Sequence, residues 1–439
     1  LSDIFLHPRR RIFTREAAQW RLFMTIKLRV FVILTVALAT MWMAGCGHYT
    51  CGLTFGSSTC GSSSATGLSS STGSGTASAF VYAIDTAGTI DSYTLNNTAV
   101  TFAATPSYTA PTVPASDGGK GMVVAQSQFL YAGFGVTDQI FAWSIDSGNG
   151  ALTTITGSPY TASFMSGVPL NQQAMITNPA GSLLFIAVAS PSEIYVYQIG
   201  SDGSLTPASG SPFSTGALQP GGLATDGLGK YLYVTQDFSD NTGEEIGAYS
   251  IGSSGTLTLV PGSPFAFPMG QVQGEPTGKY LIGTTGNAQA VSGTDLDQLY
   301  VFAIGTTGAL TQVSTTTTVN SPFRIAVQPN SSGNLVYSFG LNDTATAFNP
   351  PEGYQISSTG TLTAVTGSPF TDGAIGDWGQ FDQSGANLFL FGSVVAEGTD
   401  TVTDNIGALA VGSGGTLTEP TTGITLVTQG YWTVTDPKQ

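Results

Sequence analysis

This sequence has little charge. Only 9% of its 439 residues are Asp, Glu, Lys or Arg, where about 25% is usual for globular domains. Basic residues are rarest past Phe80, where Lys120, Lys230, Lys279, Arg324 and Lys438 face 25 acidic residues, a balance of −20. Binding a phosphate backbone takes clustered Lys and Arg, so nucleic acid and other polyanions are excluded as partners. Histidine is limited to His7 and His48. Everything beyond them lacks the side chain whose ordinary pKa lies near neutrality, which removes Ser–His pairs there, and no Gly-x-Ser-x-Gly elbow occurs. Cysteine appears only as Cys46, Cys51 and Cys60. Helical periodicity is missing from the body, and no apolar run reaches the 20 or so residues of a membrane span.

What is present at the start is a leader. Residues 1–45 hold seven of the 12 basic residues, and from Met24 the chain reads MTIKLRVFVILTVALATMWMAGC. A short basic stretch, an apolar run from Val30 to about Ala44 and small residues before a cysteine describe a signal peptide. Met43-Ala44-Gly45-Cys46 resembles the lipobox of bacterial lipoproteins. That resemblance implies cleavage before Cys46, lipidation of Cys46 and anchoring of an exported protein to a membrane of the cell envelope. Cys51 and Cys60 are then left either as a bridged pair or as two free thiols. Residues 46–77 form a tether ending in a Gly/Ser linker, and 78–439 form the body.

The body repeats itself. GALTTITGSPY starts at Gly150, GSLTPASGSPF at Gly203, GTLTLVPGSPF at Gly255, GALTQVST at Gly308, GTLTAVTGSPF at Gly360 and GTLTEPTTG at Gly415, with a degenerate copy, TAVTFAATPSY, at Thr98. The apolar residues before the threonine are Val100, Leu152, Leu205, Leu257, Leu310, Leu362 and Leu417, at steps of 52, 53, 52, 53, 52 and 55. Each period contains four short alternating strands separated by Gly, Asp and Asn turns. Four-stranded units at this period predict propeller blades, whereas tandem sandwiches repeat near 100 residues. The expected architecture is all-β, a seven-bladed β-propeller of four-stranded blades, with the C-terminal strand Tyr431–Thr435 completing the first blade. In each repeat the Gly-x-Leu-Thr unit turns into the outermost strand, and Gly-Ser-Pro-Phe ends it and sends the chain back toward the axis.

These units, with GLGKYLYV at 227–234 and PTGKYLIG at 276–283, resemble the bacterial lactonase family, which is similar to 6-phosphogluconolactonase. The resemblance covers about residues 78–436. It implies lactone chemistry at one mouth of the propeller, assisted by His, Arg or Glu. This body has no His and one Arg, so that machinery is hard to assemble.

Two groups of residues remain as candidates. The loops joining second and third strands are long in the last four repeats and rich in Asp and Asn. They predict a binding face, and Asp237, Asp240 and Glu244, or Glu397, Asp400 and Asp404, are candidate Ca²⁺ ligands weighed against solvated loop charge. Alignment of innermost strands places Lys120, Gln173, Gln271, Arg324, Asp377 with Trp378, and Tyr431 with Trp432 around one mouth. No cofactor motif is present. The reading is a monomeric, exported, lipid-anchored propeller that binds a neutral sugar or lactone, or a protein partner, without catalysis. The alternative is a lactone hydrolase.

Overall fold

The computed structural model describes residues 79–84, 90–96, 101–104, 119–169, 172–236, 245–285, 298–319, 321–329, 334–341, 349–370, 378–395, 402–418, 424–425 and 432–435. All lie in the compact unit Ser69–Gln439. Cys46, Cys51, Cys60, Asp237, Asp240, Glu244, Asp377, Glu397, Asp400 and Tyr431 lie outside the described residues, as do the side chains of Asp404 and Trp432.

The strands form antiparallel sheets that follow one another along the chain. Sheet 1 is Ala79–Ile84, Ile90–Asn96 and Thr101–Ala104, joined by Trp432–Thr435. The innermost strands of sheets 2 to 7 are Gly119–Ala125, Met175–Thr177, Pro220–Thr225, Gln271–Gly274, Ser321–Val327 and Trp378–Phe381. Trp432–Thr435 pairs antiparallel with the first strand, Thr433 opposite Tyr82 and Val434 opposite Val81. The end of the chain thus supplies the inner strand of the sheet that begins it, and the propeller is closed.

Packing explains the ring. Each apolar cluster lies between two neighbouring sheets: Phe80, Tyr82, Leu130 and Phe141 join sheets 1 and 2, and Ala79, Val81, Phe389 and Phe391 join sheets 1 and 7. Because each sheet is covered on both faces, its second strand reads as a continuous apolar run instead of an alternation. Ala79–Ile84, Phe129–Phe134 and Leu183–Val188 are buried at every position. Burying one such side chain stabilises by about 1.5–3 kcal/mol.

The repeated motif has two mechanical roles. Its first glycine sits at positive φ, between 74° and 88° in all six full copies, and in four of them its carbonyl accepts a tyrosine hydroxyl from the preceding sheet. Tyr82 donates to Gly150, Tyr131 to Gly203, Tyr233 to Gly308 and Tyr337 to Gly415, at 2.8, 2.7, 3.1 and 2.6 Å. The Ser-Pro of Gly-Ser-Pro-Phe is a cis bond at residues 158, 211, 263 and 368. The serine Oγ accepts the backbone N–H of Ala142, Val196, Ala248 or Gly353 on the third strand of its own sheet, at 2.8–3.0 Å. The aromatic residue that follows then rejoins that third strand, Tyr160 opposite Ile140 and Phe213 opposite Ile194.

Two expectations need correction. The stretch 393–405, read as a long loop, is mostly hairpin: Asn387–Val395 and Val402–Val411 pair as far as Val395 opposite Val402. Its β-branched residues, Val394, Val395, Val402 and Thr403, favour extending the strands, and Asp404 stands opposite Ser393 in that ladder. The body also contains two short 3-10 turns, Met165–Gly167 and Gln172–Ala174.

Candidate functional site: the axial channel

The innermost strands surround a cavity of about 330 Å³. Its polar lining is Gln173, Thr177, Gln273, Trp378 and Gln380, set among Val123, Met175, Ile176, Val327 and Phe381. Among the described residues, none that lines it is acidic, basic or a histidine. A second cavity of about 590 Å³ shares Val124, Thr177, Val327 and Gln380 with the first. It opens among the turns that leave the innermost strands, at Gln126, Asn178, Asp226 and Gln383.

Most of the lining amides are already engaged. Neighbouring innermost strands have no ladder of their own, and glutamines substitute for one. The Gln271 and Gln273 Oε1 atoms accept the N–H of Ile325 and Val327 at 2.7 and 2.9 Å, and Gln328 Nε2 donates to Gly385 O at 2.8 Å. Gln173 Nε2 reaches Val272 O at 3.1 Å, passing the inner strand of sheet 4. That strand carries Gly221 and Gly222, so no large side chain blocks the path.

Some polar atoms of the lining residues are buried without a partner. Trp378 Nε1 and Gln380 Oε1 are buried and have no hydrogen-bond partner in the protein. They stand two residues apart on one strand, so their side chains leave the same face about 6–7 Å apart. Once their side chains turn toward the cavity, an indole donor and an amide acceptor at that spacing match the hydroxyl and carbonyl pattern of a small neutral polar molecule. The indole also offers an apolar face to a sugar-like ring.

The buried carboxylates serve the chain itself. Asp226 Oδ1 accepts the N–H of Lys230 and Tyr231 at 2.6 and 2.7 Å. Glu275 Oε1 accepts those of Lys279 and Tyr280 at 2.6 and 3.0 Å. Glu352 takes the Tyr354 hydroxyl at 2.5 Å and the Val319 N–H at 3.0 Å, which ties the crossing between sheets 5 and 6. Asp382 takes both the side-chain and backbone N–H of Asn387, at 2.6 and 3.2 Å. Burial nevertheless raises the Asp382 carboxyl above its usual range, with those hydrogen bonds pulling the other way. Four acids are therefore structural staples, each folded into its own turn or crossing.

Of the residues aligned from sequence, the structure brings Gln173 and Trp378 together in the cavity wall. Gln173 stands in a 3-10 turn rather than on a strand. Gln271 is fully buried between strands and Arg324 is half-buried opposite Phe339, and neither lines the cavity. Lys120 lays its stem over Gly135 and also stays out of the wall. Sequence reasoning missed Thr177, Gln273 and Gln380. The recurrence of glutamine on the innermost strands was a signal for the last two, since a neutral amide suits a channel that must bridge strands without adding charge. Among the described residues no group of three His, Cys, Asp or Glu is placed to hold a metal.

Fold and channel together define an all-β propeller with a pocket among its innermost strands, uncharged among the described residues that line its smaller cavity. Solved structures similar to it include proteins named as gluconolactonases. One is a candidate 6-phosphogluconolactonase from Bacteroides fragilis, 17% identical with a TM-score of 0.57, covering 82% of this chain and 98% of that one. A protein from Lactobacillus plantarum is 18% identical with a TM-score of 0.54, covering 82% and 99%. The periplasmic gluconolactonase of Pseudomonas aeruginosa is 13% identical with a TM-score of 0.55, covering 82% and 100%. At these identities the likeness establishes the fold. No protein-family model and no curated protein sequence matches the chain.

Proposed function

We propose that this chain is an exported, lipid-anchored, seven-bladed propeller that binds a small neutral sugar or lactone in its axial channel and does not turn it over. The observation that carries the reading is the cavity wall, uncharged among the described residues, in which Trp378 and Gln380 each hold a buried polar atom without a partner. Hydrolysing a lactone needs a group that activates water and one that takes up charge on the carbonyl oxygen. The wall offers amides, a hydroxyl and an indole instead, and the nearby carboxylates already hold backbone N–H groups.

The similar propellers named as gluconolactonases support a second reading, hydrolysis of an uncharged lactone. A phosphorylated substrate is disfavoured in both, because a body with a balance of −20 repels it. The discriminating experiment titrates the purified protein with glucono-δ-lactone while following tryptophan fluorescence and lactone loss together. Saturable fluorescence change without accelerated hydrolysis is expected, and Trp378→Phe should abolish it. Saturable hydrolysis of 6-phosphogluconolactone, removed by Arg324→Ala, would replace binding with the hydrolase reading.

A further inference from the structure

We propose that the outer strand of sheet 5, Leu310–Thr317, is a docking edge that takes an extended cationic peptide segment of another protein by strand addition. The inference shares no residue with the channel and stands or falls apart from it.

The fifth repeat departs from the others in sequence. Where its neighbours close with Gly-Ser-Pro-Phe, it continues as LTQVSTTTTV. The consequence is visible in the sheet. The outer strands of sheets 2, 3, 4 and 6 are three residues long, Leu152–Thr154, Leu205–Pro207, Leu257–Leu259 and Leu362–Ala364. Leu310–Thr317 has eight residues and pairs along its whole length, from Leu310 opposite Ile304 to Thr317 opposite Gln298.

No strand among the described residues pairs with its other side. Among the described residues, Thr311–Thr317 make no backbone hydrogen bond beyond those to Gln298–Ile304. Thr311, Gln312, Val313, Thr315 and Thr317 are exposed, Val313 at 44%. Natural edges of this length are usually blunted with charge, proline or a bulge. This one carries neither charge nor proline, and its β-branched residues favour the extended state. A single bulge is present, with Ser314 opposite Val301 and Gln312 opposite Phe302, leaving Val313 as the extra residue. A bulge re-aims a strand as well as interrupting it, and here the re-aimed half is fastened. Ser314 Oγ donates to Gly360 O of sheet 6 at 2.6 Å. The edge is therefore held in place before anything docks on it.

Charge selects the occupant. The chain carries a formal −15, so a segment with Lys or Arg is drawn in, while a second copy brings an equal negative charge and is repelled. Strand addition takes affinity from the main chain and specificity from alternate side chains. The matching segment thus alternates β-branched and basic residues.

The probe is a fluorescein-labelled ten-residue peptide of alternating Val and Lys, titrated into the full protein and followed by anisotropy. Saturable binding is expected, weakened about tenfold or more by V313K/T315K together. Leu259→Lys, which adds one such charge on the short outer strand of sheet 4, should leave it within about twofold. Amide exchange over 311–317 should slow in the wild-type complex, which tests the site without any substitution. The proposal is overturned if binding is absent, if Leu259→Lys weakens it equally, or if protection falls elsewhere. It is also overturned if light scattering shows a dimer that T315K dissolves and the peptide does not compete with.

Discussion

Gly308 shows what a single position carries here. Its φ is +88°, and a Cβ added there would lie 2.5 Å from the Tyr231 ring while its carbonyl receives the Tyr233 hydroxyl. An L side chain meets strain and a clash at once. Gly308→Ala should lower stability by roughly 2–4 kcal/mol, read as a shift of the urea midpoint at unchanged slope. Tyr337→Phe isolates the other half of the latch, leaving the buried Gly415 carbonyl without its donor, and should cost about 1–2 kcal/mol. Asp382 supplies a pH signature. Its folded carboxyl titrates above the unfolded value because it is buried. The native state therefore holds the proton more tightly than the unfolded chain. The resulting stability is fully present below the unfolded pKa, about 3.9, and is lost as pH rises through the folded value. Asp382→Asn removes that dependence. The stability of the wild type relative to the variant should fall as pH is raised from about 3.5 toward neutrality. A difference that stays flat with pH would show that Asp382 is not titrating in this way.

The turn closing each outer strand is where sequence and structure meet most directly. Ser263 Oγ accepts the Ala248 N–H at 2.8 Å, so Ser263→Ala should destabilise by about 1 kcal/mol and loosen the Phe265 return, seen as faster amide exchange at Ile246 and Ala248. The spacing of Gly, Leu and Ser-Pro-Phe made the sheets legible, because each residue type is demanded by local backbone geometry that recurs. Closure was legible for the same reason, since Trp432–Thr435 repeats the pattern of an innermost strand that the first repeat lacks. The channel wall was not legible to the same degree. Gln173 and Trp378 were found by alignment, but whether a side chain on an innermost strand points into the cavity or between sheets depends on local bulges. Register shifts lie at Gly119/Gly121, Pro220/Gly222 and Pro322/Arg324. Lys120 and Arg324 stand at or beside these bulges, and they are the aligned cations that stay out of the wall. The stretch 393–405 failed differently. Its Gly, Thr and Asp composition resembled a loop, and only the pairing of its two β-branched ends made it strand.

At the scale of the molecule, two termini are assigned opposite tasks. Cys46 is proposed as the lipidated residue, so labelled palmitate should enter the wild-type protein in a bacterial host and not Cys46→Ser. Equal labelling of both would remove the anchor. The other end holds the ring. Trp432–Thr435 covers the edge of Phe80–Ala83, where Phe80 and Tyr82 are 1% and 0% exposed. Each neighbouring sheet leans on the next through its apolar cluster, so the ring has no stable free end. Deleting residues 430–439 strips one strand from sheet 1 and bares a hydrophobic edge facing the channel. Several ladder hydrogen bonds at about 1 kcal/mol each disappear, together with part of the burial between sheets 7 and 1. The loss should reach roughly 5 kcal/mol, enough to lower the melting temperature by about 6–7 °C in a domain of this size. Bared edges also pair with one another, so the truncated protein should form larger soluble assemblies than the full chain at the same concentration. Scanning calorimetry and light scattering on the same samples test both effects. An unchanged melting temperature with unchanged mass would mean that the sheets hold one another without the last strand, and that closure is an ornament of the fold instead of its fastening.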